Sequence, residues 1–168
     1  MKSVVTIRHI FISPGHNFFG RYGQAAGEYP AIDVAAVQCR AGHGLEGDRF
    51  FGYRPDYKGQ VTFFAWETYE AAKVQFAVPA LRPDAFRRNV LIEGVHLNEL
   101  IGARFTLGGI EFEGICESKP CAWMNTVVAP GAEEWLRGQG GLRAKILQDG
   151  ELRRGPAELH AHGLLALR

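Results

Sequence analysis

The chain has 168 residues, of which 46% are hydrophobic and 22% charged, and its formal net charge is +1. These values are typical of one globular domain and exclude a disordered chain, a collagen-like repeat and a coiled coil. The near-neutral charge gives no support for binding to nucleic acid or to a membrane surface. Only five of the 19 Lys and Arg residues are Lys, so arginine, whose planar fork suits carboxylate and phosphate oxygens, dominates.

The beginning of the chain shows no targeting segment. Residues 1–3 lead directly into an alternating apolar pattern, and no stretch of the chain has the length needed to cross a bilayer. Three Cys in a chain of this size favour reduced, intracellular thiols over a disulfide framework. We therefore expect a cytoplasmic protein.

The first half of the chain predicts three strands and one helix. Alternation and β-branched content place the strands at 4–13, 31–39 and 60–64, and helical spacing places the helix at 66–76. Two long Gly-bearing loops, 14–30 and 42–57, interrupt these elements, and loops of this length are usually functional or mobile. We expect the first loop to fold over the site through a lid of polar and aromatic side chains. These are Asn17, Phe18, Phe19, Arg21 and Tyr22.

The second half predicts mainly short strands. The strands fall at 89–93, 104–107, 110–116, 142–148 and 151–154, with short helical segments at 96–101 and 130–137. Gly108-Gly109 and Asp149-Gly150 are two-residue hairpin signals. His160–His162 is interpreted as part of a frayed end. About seven short strands with a few short helices predict a mainly β protein with a closed or nearly closed β-barrel.

Cys121 is the first candidate for chemistry. It follows a predicted strand within Lys119-Pro120-Cys121, where Pro120 interrupts regular pairing. A neighbouring cation favours the thiolate, so Lys119 is expected to lower the pKa of this thiol. The thiolate is both the nucleophile and the soft metal ligand of cysteine. A buried structural Cys is the alternative, since free Cys is usually buried.

The other two thiols do not form a metal site with Cys121. Cys116 shares strand parity with Ile110 and Phe112, which predicts that it faces the core. The pattern assigns no face of the strand to Cys39. None of the Cys spacings gives the CxxC pair of a structural zinc site. The six His residues likewise lack the spacing of a metal cluster.

Two basic segments are candidates for anion binding. Residues 87–89, Arg87-Arg88-Asn89, precede an apolar strand, and alternation would send one of their side chains toward a barrel mouth. Residues 44–49 form a Gly-rich turn whose backbone N–H groups can hold an anion, and Lys58 follows it in the chain. In each case a solvated surface turn is the alternative interpretation.

These segments together resemble the MOSC domain, the module at the carboxyl end of molybdenum cofactor sulfurases that also occurs in small stand-alone bacterial proteins. The matching segments are Gly44-Leu45-Glu46-Gly47-Asp48-Arg49, residues 87–102 and Lys119-Pro120-Cys121, with residues 142–154 as closing strands. The resemblance covers about residues 4–156 of a single domain spanning 1–168, which leaves 157–168 as a C-terminal tail.

The resemblance implies a MOSC-type β-barrel that binds the molybdenum cofactor. Cys121 would ligate molybdenum or carry a persulfide, and the family is also associated with pyridoxal phosphate binding. Residues of the basic and Gly-rich segments would hold the cofactor and its pterin phosphate. By position these are His43, Gly47, Asp48, Arg49, Lys58, Arg87, Arg88, Asn89 and Lys119. No segment resembles the ferredoxin or desulfurase domains of larger relatives, so a separate electron donor or sulfur donor is implied.

Three functions stay open at this point. The first is a molybdenum-cofactor protein or sulfur carrier, acting as an oxidoreductase on N-hydroxylated substrates or as a sulfur transferase. The second is a non-enzymatic barrel that binds an anionic metabolite or a partner protein, with Cys121 incidental. The third is a metal-free thiol enzyme in which Lys119 or His43 activates Cys121.

Overall fold

The structure is a computed structural model that describes residues 2–17, 21 and 24–164. Within them it contains three α-helices, two 3₁₀ helices (Pro83–Phe86 and Leu97–Leu100) and eleven strands. The helices are α1 (Trp66–Gln75), α2 (Trp123–Val127) and α3 (Ala132–Trp135). The strands are β1 (Lys2–Ile12), β2 (Ile32–Asp33), β3 (Ala36–Arg40), β4 (Gly44–Leu45), β5 (Val61–Ala65), β6 (Val90–Glu93), β7 (Ala103–Leu107), β8 (Ile110–Glu117), β9 (Leu142–Ile146), β10 (Gly150–Arg153) and β11 (Gly155–Leu164).

Seven of the strands close into a barrel. Their order is β1, β11, β7, β8, β9, β5 and β6, and β6 pairs back onto β1. All these pairs are antiparallel except β5 with β6. The barrel confirms the predicted fold class, and the hairpin at Gly108-Gly109 joins β7 to β8 as predicted, with both glycines at positive φ.

The last strand, β11, corrects one prediction. The segment interpreted as a frayed end, His160–His162, lies inside β11, which pairs with β1 on one side and β7 on the other. Without β11 the barrel would have two open edges. Local alternation did not indicate this strand, because its pairing partners lie far away in the chain.

The predicted hairpin at Asp149-Gly150 is also wrong. β9 pairs with β5 and β8, whereas β10 pairs with β3 in a separate small sheet of the order β10, β3, β4. The predicted strand 31–39 is split accordingly, since β2 pairs with β1 and β3 with β10. A turn signal fixes a local reversal, but cross-strand burial decides which strands pair.

Two apolar layers position the helices on the barrel. The barrel interior holds Phe63, Phe105 and Phe112, whose rings contact one another edge-on or stacked. A second layer on the outer wall packs α1, α2, α3 and the first 3₁₀ helix against the strands. Phe64 and Phe86 stack there with ring centroids 4.5 Å apart. α2, which the sequence did not predict, is thus held against the outer wall of the barrel.

Strand β8 contains an irregularity that changes the position of Cys116. Burial alternates from Ile110 to Gly114, and the register then shifts between Gly114 and Cys116. Such a bulge breaks the parity on which the core-facing prediction rested, so that prediction is wrong and Cys116 is only half-buried. Cys39 is fully buried, and burial raises the pKa of its thiol to about 12.

Candidate functional site

A cavity of about 170 Å³ brings Cys121 together with four arginines. It lies where the starts of β5 and β6 meet the loop after β4 and the segment between β8 and α2. The described residues that line it include no carboxylate and no lysine. They are Arg49, Phe50, Tyr57, Gly59, Thr62, Arg87, Arg88, Asn89, Ser118, Cys121, Trp123, Met124 and Arg143.

Cys121 is exposed and lies directly before α2. Its carbonyl oxygen accepts a hydrogen bond from the Met124 N–H at 2.9 Å, which starts the helical turn. Upstream, the Ser118 N–H donates to the Gly141 carbonyl at 2.8 Å and so ties the segment to the loop before β9. The thiol is therefore carried on a segment fixed at both ends, and it is open to solvent.

Arg88 holds three chain segments together at the cavity wall. Its Nε, Nη1 and Nη2 atoms donate to the carbonyls of Gly140, Phe86 and Ser118 at 2.8–2.9 Å. Burial, with the positive charge of Arg143 second, lowers its pKa to about 10. Three of its five N–H groups are used in these bonds, which leaves two for a ligand.

Gly140 and Gly141 make room for this arrangement. A Cβ at Gly140 would lie 2.4 Å from the Ser118 carbonyl oxygen. A Cβ at Gly141 would lie 2.3 Å from the Phe63 carbonyl oxygen. Close backbone approach therefore requires glycine at both positions.

Arg49 and Arg87 form a second pair of cations at the cavity. Arg87 adopts a left-handed backbone with φ 55°, and burial, followed by the charge of Arg49, lowers its pKa to about 10. Burial also lowers the pKa of Arg49, whose guanidinium lies 4.7 Å above the Phe50 ring. Like charges held close in a half-buried place are costly, and an anion would relieve that cost.

Asp48 positions Arg49 from behind the cavity. Its carboxylate accepts hydrogen bonds from the backbone N–H groups of Ser13 and Phe50, and Arg49 lies 3.5 Å from it. The carboxylate is buried and does not line the cavity. Its function here is to fix the loop that carries Arg49.

Asn89 connects the first strands of the site. Its side-chain oxygen accepts from the Thr62 N–H and hydroxyl at 3.0 Å, and its amide donates to the Phe11 carbonyl at 3.1 Å. The side chain is buried, and one amide N–H remains for a ligand.

Arg143 is a site residue that the sequence analysis missed. It lies on β9 opposite Thr62 on one side and Cys116 on the other. It alternates with Leu142 and Ala144, which are buried in the barrel interior. That alternation was the available signal, because it places Arg143 on the outer wall where α2 packs.

A second, larger depression of about 460 Å³ lacks this chemistry. It is lined by residues such as Glu67, His96 and Gln139, and among its described lining residues there is neither Cys nor Arg. Size alone would favour it, but the convergence of a thiol and four cations favours the smaller cavity.

The sequence model of the MOSC domain matches residues 43–157. The chain belongs to the MOSC domain family. A search of curated protein sequences finds no match. The matched residues contain every cavity residue described above.

Solved structures confirm the fold of this MOSC domain. It superposes on the YuaD protein from Bacillus subtilis with a TM-score of 0.75 and 16% identity, covering 96% of this chain and 98% of that one. YiiM from Geobacillus stearothermophilus gives 0.69 and 16%, covering 97% and 78%. YiiM from Escherichia coli gives 0.65 and 18%, covering 96% and 71%.

Five of the residues predicted for the site line the cavity of the MOSC domain, and five do not. Arg49, Arg87, Arg88, Asn89 and Cys121 line it. Gly47, Lys58 and Lys119 are exposed outside the lining, and so is His43, whose Nδ1 lies 2.9 Å from the Ala41 carbonyl oxygen. Asp48 lies behind Arg49. The cations that surround Cys121 are thus arginines, not the predicted Lys119.

The lid predicted from the first loop falls partly outside the described residues. Phe18, Phe19 and Tyr22 lie there. Asn17 exchanges hydrogen bonds with the backbone of Tyr29, and Arg21 donates to the Ala25 carbonyl, so both bind within their own loop.

The part of the chain that the structure describes contains no group of three His, Cys, Asp or Glu side chains arranged to hold a metal ion. No helix in that part of the chain has the length and apolar character needed to cross a membrane.

Proposed function

We propose that the cavity binds the molybdenum cofactor and that the Cys121 thiolate is the protein ligand of its metal. The observation that carries this proposal is the exposed Cys121 among four arginines, with no carboxylate among the described lining residues. An anion and a soft metal centre in one ligand match this combination of groups.

The donor set fits the cofactor in three respects. Guanidinium groups bind phosphate oxygens in a bidentate manner, and burial, followed by the charge of a neighbouring arginine, lowers the pKa values of Arg87 and Arg88 to about 10. The thiolate is a soft ligand suited to a soft centre. Gly59 also leaves space, because a Cβ there would lie 3.2 Å from the Tyr57 ring.

Each side chain has a distinct role in this proposal. Arg49 provides the charge that binds the phosphate, and Arg143 adds a cation on the side of Cys121. Arg88 fixes the segment that carries Cys121 through its bond to Ser118, and it offers its two remaining N–H groups to the anion. The rings of Phe50, Tyr57 and Trp123 line the cavity and give it apolar surface for the body of the cofactor.

The corresponding activity is that of a molybdenum-dependent oxidoreductase. When bound, the cofactor would supply the redox chemistry by which an N-hydroxylated substrate loses its oxygen atom. The residues of this chain bind and orient the cofactor, and a separate protein supplies electrons. Pyridoxal phosphate binding stays a prediction, and the described cavity lining offers no lysine for a Schiff base.

The deciding experiment measures molybdenum and pterin in protein purified from a host that makes the cofactor. We expect near-stoichiometric metal and pterin in the wild type, and loss of the metal in Cys121→Ser. Cys116→Ser is the matched control, because Cys116 does not line the cavity, and it should keep both. Arg49→Gln should lose pterin together with metal, since it removes charge from the phosphate site.

Two outcomes would overturn the proposal. Metal retained by Cys121→Ser would exclude the thiolate as ligand. Metal and pterin missing from the wild type, together with a persulfide on Cys121 detected by mass spectrometry, would instead establish a sulfur carrier that receives sulfur from a separate donor. If neither metal nor persulfide is found, two functions remain: an anion-binding module with an incidental Cys121, and a metal-free thiol enzyme.

A further inference from the structure

A third depression, of about 430 Å³, adjoins the cavity that contains Cys121. It is lined by Ala80, Leu81, Arg82, Asp84, Ala85, Arg87 and Val127. Arg87 lines both this groove and the cavity that contains Cys121. Most of the other lining side chains are aliphatic, so the groove, unlike the cavity, is mainly apolar.

Like Arg87, helix α2 contributes residues to both the cavity and the groove. Trp123 lines the cavity and Val127 lines the groove. Residues four apart lie on the same face of a helix, about one turn from each other. The cavity and the groove therefore follow one another along one face of α2, with Arg87 at their junction.

The charges at the groove leave a net positive junction. Arg82 holds the Asp84 carboxylate with two hydrogen bonds, from Nε at 3.0 Å and Nη2 at 3.2 Å. Asp84 is thus paired with Arg82 and its charge also acts on Arg87, but the lining as a whole, with two arginines and one aspartate, is net positive. Arg87 then adds a cation where the groove meets the cavity, and its backbone at φ 55° ends the 3₁₀ helix and turns the chain at that point.

We propose that the groove is a second binding subsite, for the apolar body of an organic anion whose charged group binds Arg87. The body, aliphatic or aromatic, would contact Leu81, Ala85 and Val127, and the reacting end would reach toward Cys121. This deepens the proposed function by naming the substrate class, and it rests on that function for the reaction but not for the binding.

The test uses three probes that separate charge from apolar contact: 4-phenylbutyrate, neutral 4-phenylbutanol and acetate. Binding is followed by NMR through the methyl signals of Leu81, Ala85 and Val127. We expect 4-phenylbutyrate to shift these signals and to bind at least about tenfold more tightly than either other probe, because it alone has both features.

Variants locate the binding. Arg87→Asn removes the charge while keeping a residue that tolerates positive φ, and it should weaken 4-phenylbutyrate binding about tenfold. Ala80→Trp fills the groove from an exposed position and should abolish the shifts. Arg137→Gln is the control for loss of a positive charge, because Arg137 is exposed and lines neither the groove nor the cavity, and it should change the affinity less than about twofold.

Outcomes distinguish this proposal from the proposed function. Cys121→Ser should bind 4-phenylbutyrate as the wild type does, whether or not the protein carries metal. Absence of the methyl shifts in the wild type, equal binding of 4-phenylbutanol, or an equal loss in Arg137→Gln and Arg87→Asn would each overturn the groove as a subsite. None of these results depends on the metal content of the protein.

Discussion

At the scale of single residues, the site is defined by arginines whose charges are only partly opposed. Arg88 donates to three backbone carbonyls, and Arg49 has the single carboxylate of Asp48 beside it. The sequence indicated Arg49, Arg87 and Arg88 as candidates because they flank Gly-rich or apolar segments. It missed Arg143, because only the pairing of β9 with β5 and β8 brings that side chain to the cavity.

His16 reports on the charge of this cluster. Its ring packs edge-on against Phe50, with centroids 5.1 Å apart. Its pKa is lowered from 6.5, first by burial and then by the positive charges of Arg49 and Arg87, against an opposing contribution from Asp48. The folded protein therefore binds this proton less well than the unfolded chain, so His16 reduces stability as the pH falls below 6.5.

An anion in the cavity should reverse part of that shift. We expect saturating sulfate to raise the pKa of His16 by about half a unit, equivalent to about 0.7 kcal/mol, because it opposes the charges of Arg49 and Arg87. By linkage, sulfate should bind more tightly as the pH falls through the pKa of His16. An NMR titration of the imidazole signals, assigned with His16→Gln, measures both effects. A pKa unchanged by sulfate would contradict anion binding at this pair.

At the scale of elements, the segment between β8 and α2 is built by contacts distant in the chain. The sequence predicted a strand followed by a loop with Cys121, and both predictions are confirmed by the structure. The sequence did not predict the close approach of the Gly140 backbone to Ser118, because the two residues lie far apart in the chain. Helix α2 was also missed, since its five residues are too few for a periodic pattern.

Gly140→Ala tests whether this packing fixes the thiol. The added Cβ would meet the Ser118 carbonyl oxygen, so the segment must move. We expect a loss of about 3 kcal/mol in the free energy of unfolding and a clear change in the alkylation rate of Cys121. Gly138→Ala is the matched control, because only its φ of 79° is unfavourable and space around it is open; it should cost about 1 kcal/mol.

The alkylation measurement is specific to Cys121 for a structural reason. Cys39 is buried with its thiol pKa raised to about 12, so it should stay unlabelled in the folded protein. Performing the assay in Cys116→Ser removes the remaining thiol. An unchanged rate in Gly140→Ala would show that the close approach to Ser118 does not position Cys121.

At the scale of the whole molecule, β11 decides whether the barrel is closed. Leu159 is fully buried and lies in register with Ser3 on β1 and Leu107 on β7. We expect Leu159→Ala to lower the free energy of unfolding by about 3 kcal/mol, as for a residue in the middle of a core. Denaturant unfolding measures this loss.

Val4→Ala on β1 is the control for that measurement. Val4 is 71% exposed although it lies in a barrel strand, so its truncation should change stability by less than about 0.5 kcal/mol. If Leu159→Ala were as mild as Val4→Ala, the segment would behave as the frayed end that the sequence suggested.

The sequence by itself determined the fold class, most strand positions, the hairpin at Gly108-Gly109 and the placement of Cys121 in a loop after a strand. These depend on local alternation, turn residues and a short motif, which a single chain displays directly. Only the tertiary structure decided that β10 pairs with β3, that β11 closes the barrel, and that Arg143 joins Arg49, Arg87 and Arg88 around Cys121. Those facts depend on which distant strands bury their apolar faces together. The free energy of that burial depends on the packing of the whole fold and not on any one segment.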